Sequence, residues 1–431
     1  MKNILKGGGL IVLATLIYMG MVGMGTARAD DASIQAEIQA LKNRISQLET
    51  RLEETHLKLE QPQTAKPSPM GEAMKGLRIG GMASMSANYN MNQPTNQANT
   101  FEEFHNKANT MQLDQFELIV QKQSSSDKPI GFRADLIVGE TAQTIGSNGT
   151  SAGETGDDID LQQAYVSWKP SLFDRDIDIW LGKYVTLAGA EVIPDPAGYN
   201  WNISRSFGFY YAIPFTHTGI RSMIPVISDK LTAYLGINNG WDQVEDNNEG
   251  KTLESALSLT PWKWLSVFSS FYWGNESASG TTGDMQSVWS TVATLKSPWD
   301  ISCLNRLTLM FDFDLGHEEE GISARQSSNW DGLASYARYM ITDKLALSTR
   351  YEYFNDNDGD RTGSASGIAA PRPSTPVYLQ GWTTTVEYPF VDELIGRFEY
   401  RRDWANDNFF QDQGDRRKEQ NVLYAELIYL F

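Results

Sequence analysis

The 431-residue chain is short of three things: cysteine, clustered histidine and, after residue 29, any apolar run of membrane-helix length. A lone Cys303 cannot close an internal disulfide, which excludes a disulfide-stapled secreted domain. His56, His105, His217 and His317 stand far apart without the spacing of paired ligands, so neither a metal nor a cofactor is expected. The missing run of about 18 apolar residues excludes a helical membrane protein. It does not exclude a barrel, whose strands hide their apolar residues in alternation. Basic residues are also scarce, 36 against 54 acidic ones, for a net charge of −18. That balance argues against nucleic acid as a partner and requires the acidic surplus to face water or cations. Ser204 and His217 fall in one region, but Ser204 does not stand in a Gly-x-Ser-x-Gly motif, so no catalytic residue and no enzyme activity is expected.

What is present begins at the N-terminus. Lys2 and Lys6 precede an apolar run from Leu10 to Met24, and Ala27-Arg28-Ala29 forms a small-x-small cleavage signal before Asp30. The run is short for a membrane anchor and broken by glycines, so residues 1–29 read as an export signal. Its removal takes Lys2, Lys6 and Arg28 with it and moves the formal charge from −18 to −21. Residues 30–60 then read as an α-helical coiled coil. Ile34, Leu41, Leu48 and Thr55 occupy d positions, and Ile38, Ile45, Leu52 and Leu59 occupy a positions. Glu37 opposite Lys42 and Arg44 opposite Glu49 suit parallel self-association. Isoleucine at a with leucine at d favours a dimer. Residues 61–76, with Pro62, Pro67 and Pro69, read as a linker.

From Leu77 the period becomes two. Leu307, Leu309, Phe311, Phe313 and Leu315 alternate with Thr308, Met310, Asp312 and Asp314. Leu345, Leu347, Thr349, Tyr351 and Tyr353 alternate with Ala346, Ser348, Arg350 and Glu352. One greasy and one charged face suit lipid outside and water inside. The fold class expected for 77–431 is therefore all-β, a transmembrane antiparallel barrel of roughly 16 strands. Long polar connections (91–108, 140–159, 186–214, 239–251, 275–285, 316–329, 355–375, 404–419) alternate with tight ones such as Pro261-Trp262-Lys263 and Thr342-Asp343-Lys344. A soluble sandwich gives no reason for that rhythm. Leu423, Ala425, Leu427, Tyr429 and Phe431 share one face of the last strand, an aromatic-ended pattern resembling the signal that directs barrels to outer-membrane assembly. Trp168, Trp180, Trp241, Trp262, Trp264, Trp273, Trp382 and Trp404 suit interfacial girdles.

The longest connection contains Gly189, Glu191 and Val192, then Asn202, Ser204 and Arg205, and leads to Pro214, Phe215, His217 and Gly219. Leu161-Gln-Gln-Ala-Tyr-Val-Ser-Trp168 precedes it and Asn239-Gly-Trp-Asp242 follows. In order and spacing, from about Leu77 to Phe431, these blocks resemble the OmpL-like β-barrel porin family. The resemblance implies an outer-membrane diffusion channel and favours a trimer, which leaves the oligomer number open between dimer and trimer; the coiled coil, outside the resemblance, is expected in the periplasm. It supplies no solute.

A loop rich in Gly, Pro and Asn can fold into a lumen, where water and strand side chains satisfy irregular backbone. Segment 186–214 is expected to do so, with Glu191, Asp195, Asn202, Arg205 and His217 nearest a constriction. Glu191 and Arg205 alternatively only fasten the loop to the wall. Strand parity turns Arg133, Asp135, Arg350, Glu352, Arg397, Glu399 and Arg401 inward, where opposite charges would set a transverse field. The reading is of a homo-oligomeric porin in outer-membrane lipid, passing small hydrophilic solutes or ions with a weak cation preference. A solute-specific channel, or an anchor tethering the envelope through its coiled coil, is the alternative.

Overall fold

The computed structural model describes residues 75–147, 158–172, 175–194, 196, 198–248, 250–276, 284–297, 301, 304–323, 326–363, 365 and 375–431, without the side chains of 320–323 and 326. The export signal, the coiled-coil residues Ile34 to Leu59, and Asp195 lie outside the described residues. Sixteen strands form one closed barrel. They are β1 (Leu77–Asn90), β2 (Met111–Lys122), β3 (Ile130–Val138), β4 (Ile159–Trp168), β5 (Asp178–Val185), β6 (Thr216–Ile227), β7 (Leu231–Asn238) and β8 (Thr252–Trp262). Then follow β9 (Leu265–Asn275), β10 (Met285–Lys296), β11 (Leu307–Ser323), β12 (Gln326–Met340), β13 (Ala346–Asp356), β14 (Val377–Val391), β15 (Leu394–Ala405) and β16 (Glu419–Leu430). Each pairs antiparallel with its sequence neighbour, and β1 closes on β16 from Met82↔Leu430 to Asn90↔Val422.

Alternation decides which face is which. On β11, Phe311, Phe313 and Leu315 are exposed on the outer wall while Asp312 and Asp314 are buried inside. On β13, Leu347 and Tyr351 point out, and Ser348, Arg350 and Glu352 point in. The seam needs glycine: both backbone groups of Gly81 bond Phe431, and a Cβ there would sit 2.1 Å from the Glu117 carbonyl and 2.6 Å from the Phe431 ring. Tyr429 and Phe431 stack beside that seam on the outer face.

Two strands break the alternation. Opposite β1, Ser84 pairs with Gln115 and Met85 with Leu113, so Asp114 is an extra residue. Opposite β3, Asp135 pairs with Gln163 and Leu136 with Leu161, so Gln162 is extra. Each bulge turns two consecutive side chains inward, and Asp114, Gln115, Gln162 and Gln163 are all buried.

The long connections gather at one end. The expected long loop at 316–329 is absent, because β11 and β12 run on to Ser323 and Gln326 and extend the hairpin past the rim. A short helix α1 (Glu140–Ile145) follows β3, and α2 (Phe207–Tyr211) lies in the connection between β5 and β6. At this end the inward-facing residues at the strand tips turn apolar: Ile137, Tyr272, Val288, Trp330, Phe354 and Leu379. Loop residues meet them, including Phe101, Phe104, Ile145, Phe209, Tyr211, Trp241, Phe409 and Phe410. Phe101 lies edge-to-face on Phe409 at 5.5 Å and on Phe410 at 5.8 Å. Arg361 caps this core, stacked 4.8 Å above Trp330 and donating to the Tyr211 carbonyl. The loop end of the barrel is thus filled by a packed aromatic core. Two of the expected girdle tryptophans belong elsewhere: Trp241 is buried in this core, and Trp180 points inward against Tyr165. Trp168, Trp262, Trp273 and Trp382 are exposed on the outer wall.

Candidate functional site at the lumen-crossing loop

The β5–β6 connection leaves the wall at Val185 and bonds to inward-facing side chains around much of the barrel. On one side its backbone donates from Leu187 to the Tyr272 hydroxyl, from Gly189 to Ser290 Oγ and from Ala190 to Asp312 Oδ2, each at 2.8 Å. Gln115 of β2 donates to the Pro194 carbonyl at 2.8 Å. On the far side the chain lies along β13, β14 and β15. Glu399 accepts from the Ile203 and Ser204 amides at 2.6 and 3.0 Å and from Ser204 Oγ at 2.5 Å. Asn202 Nδ2 donates to Thr385 Oγ1 at 2.7 Å. Glu352 accepts from the Phe207 amide at 2.6 Å, at the start of α2. Ser206 caps that helix by accepting from the Phe209 amide.

Arginines supply the complementary donors. Arg350, fully buried, reaches Glu191 Oε1 at 2.9 Å, the Ser204 carbonyl at 2.7 Å and the Arg205 carbonyl at 3.1 Å, with Glu352 on its Nε at 3.0 Å. Arg401 donates to the Arg205 carbonyl at 2.6 Å and pairs with Asp403. Arg397 donates to the Asn200 carbonyl at 2.6 Å and pairs with Glu426. Charge-assisted bonds of this kind are roughly twice as strong as neutral ones, and the guanidinium fork fixes the backbone it grips. The wall charges read from parity therefore do point inward, but those on β13 to β15 hold the loop. Arg133 and Asp135 instead pair with each other, at 2.9 and 2.8 Å, below the loop on β3.

The expected constriction residues separate. Glu191 ties the loop to itself and to the wall, accepting from the Ser206 amide and hydroxyl at 2.7 and 2.9 Å besides Arg350. Asn202 is fully buried against Thr385. His217 is fully buried on β6, stacked at 4.5 Å on Tyr272 and bonded to the Gly240 carbonyl, away from Ser204. Of the four that are described, Arg205 alone is half-buried: it lies 5.5 Å from the Phe104 ring and lines a void of about 10 Å³ between the loop and the β16–β1–β2 wall. Ser84, Asp114, Gln115, Arg397 and Glu426 share that void. On the short-turn side of the loop lies a larger cavity of about 610 Å³.

Sequence reading missed Asp114, Gln115 and Gln162. The signal was present: the outward series runs Leu113 then Phe116, and Leu161 then Ala164, a step of three where two was expected.

Comparison with curated proteins finds no match. Solved structures share the fold at low identity. The in-vitro folded trimer form of OmpT from Vibrio cholerae is 12% identical with a TM-score of 0.53, over 82% of this chain and 99% of that one. An anion-selective porin from Comamonas acidovorans is 9% identical with a TM-score of 0.54, over 82% and 99%. OprB from Pseudomonas putida is 11% identical with a TM-score of 0.54, over 84% and 96%. These likenesses establish an outer-membrane porin fold. With the closed sixteen-stranded barrel, they accord with the family model that matches residues 76–431, and the chain belongs to the family described as "putative beta-barrel porin-2, OmpL-like".

Proposed function

We propose that the chain is a diffusion channel for small hydrophilic solutes and ions, with segment 186–214 as its constriction and the long loops on the extracellular side. One observation carries this reading: the loop is strung across a charged interior and leaves a narrow void on one side, between Arg205 and the β16–β1–β2 wall, lined by charged and apolar side chains together. At about 10 Å³ that void has room for roughly one water, so a larger solute passes only as the loop moves aside. Passage there would run past Arg205, Arg397, Asp114 and Glu426, charges of both signs, which supports only weak ion selectivity. The acidic surplus of the whole chain tips that toward cations. A trimer, joined through a periplasmic coiled coil at Ile34 to Leu59, completes the proposal; the trimer form of OmpT and the heptad support it.

Single-channel recording of refolded protein in a planar bilayer tests the reading. Stepwise conductance is expected, and Arg205→Ala should enlarge it and move the reversal potential in a salt gradient further toward cation preference. Unchanged conductance in that variant would remove Arg205 from the path.

The aromatic core favours a second reading, a plugged barrel that anchors the envelope through its coiled coil. Folded, heat-modifiable protein that never conducts at any pH or voltage would establish that reading instead.

A further inference from the structure

The inner face of a water-filled barrel is ordinarily polar. In the short-turn half, beneath the loop, one arc of this one is not, although Glu117, Arg133 and Gln163 face the same cavity. Inward positions of β4, β5, β9, β10 and β11 carry Tyr165, Trp180, Phe268, Val292 and Met310, and these line the cavity of about 610 Å³. Tyr165 and Trp180 stack at 4.3 Å with 13° between their planes, presenting a flat apolar wall. All five are half-buried, unlike the fully packed aromatics of the loop end, so their surface remains available from the cavity.

A polar edge faces this wall. The β4 bulge turns Gln162 inward, where it is 2% exposed and lines the same cavity. Its Oε1 has no hydrogen-bond partner among the described residues. A buried carbonyl oxygen left unpaired is costly, and it accepts but cannot donate. The volume falls within the roughly 300–1,000 Å³ typical of small-molecule sites, and an apolar surface with a few convergent polar groups is their usual composition.

From this we infer that the cavity is a binding site for small amphipathic solutes, an aromatic ring against Tyr165, Trp180, Phe268 and Met310 with a hydroxyl donor directed at Gln162. The site deepens the channel reading by naming a solute class, and rests on it for the direction of transport. Binding itself does not depend on conduction. The apolar wall raises the residence of such solutes beneath the loop, where a purely polar solute gains nothing.

The test uses the refolded full barrel in lipid nanodiscs, with 4-hydroxybenzyl alcohol as probe, myo-inositol as polar control and empty nanodiscs to subtract partitioning into lipid. Saturation-transfer NMR reads binding, and bilayer recording reads current blockade. The probe should bind at least tenfold more tightly than myo-inositol. Phe268→Ser and Met310→Ser, each checked for heat-modifiable folding, should weaken it at least fivefold, and Gln162→Leu should abolish its advantage over its phenolic and benzylic dimethyl ether. Equal binding of myo-inositol, or full probe affinity in both serine variants, overturns the inference. A barrel that binds the probe yet never conducts overturns the channel reading and leaves the site standing.

Discussion

The middle of the lumen and its loop end are both filled, but by opposite means. In the middle, backbone of residues 200–207 is gripped by Glu352, Glu399, Arg350, Arg397 and Arg401 through directional bonds. At the loop end, Phe101, Phe209, Tyr211, Phe409 and Phe410 pack mainly ring against ring, drawn from connections far apart in sequence. Directional bonds fix one position and fail when a partner is lost. An apolar core tolerates sliding and fails when its area is reduced. The two fillings should therefore respond to different perturbations.

Arg350→Ala should have the largest effect. It removes the donor shared by Glu191, Glu352 and the loop carbonyls, and breaking such a buried pair costs about 3–5 kcal/mol. Urea unfolding in lipid reads the loss, and conductance should rise as the loop loosens. A loss under about 1 kcal/mol would mean that packing, not this arginine, holds the loop.

Phe410→Ala should cost about 3 kcal/mol, as for other buried Phe truncations, but locally. Hydrogen exchange should quicken in 91–110 and 406–418 while amides of 200–207 stay protected. Equal loosening in both places would show the two fillings to be one cooperative unit.

Acidity should separate them further. Glu102 sits in the β1–β2 loop, and burial is the main force raising its pKa, to about 7; Arg401 pulls it down, Asp403 pushes it up, and Tyr424 and His105 pull it down. Glu276, buried beside Thr252, the Trp241 amide, Asp242 and Asp284, is likewise raised to about 7, and buried Asp242 to about 6. A carboxyl with a raised folded value favours the folded arrangement in full below its unfolded value, near 4 to 4.5, and loses that contribution as pH climbs through 6 to 7. Burial lowers the pKa of His105, but neighbouring Asp114 and Glu102 lift it above 6.5, so its contribution also fades as pH rises. Proteolytic cutting in 91–110 should increase severalfold from pH 5 to pH 8, and channel opening with it. A rate that does not change, or that falls, would disprove the linkage.

How much of this was legible follows from the same contrast. Strand positions could be read because lipid on one side and charge on the other imprint a period of two, as on β11 and β13. The inward direction of Arg350, Glu399 and Arg401 followed from parity, but their partners did not, because backbone amides and carbonyls of Ile203 to Phe207 leave no trace in side-chain identity. Asp114 and Gln162 were hidden by bulges that shift the frame by one residue. The loop-end core was hidden most completely: Phe101 and Phe410 are over 300 residues apart, and Phe354 and Leu379 continue the inward series of their strands without announcing a change from polar to apolar.

The smallest effect should come from deleting Ile34 to Leu59. Barrel unfolding and unit conductance should not move, because every bond described above lies within 75–431. Oligomers should weaken, measured by analytical ultracentrifugation in detergent, and unchanged oligomers would remove the heptad from assembly.

The aromatic filling also gives the molecule a thermometer. Apolar association weakens as water cools, because near room temperature its driving force is almost entirely entropic. Chilling should therefore slacken the cluster of Phe101, Phe409 and Phe410. On the channel reading proposed above, a cell carrying this protein would have a surface that grows more permeable in the cold.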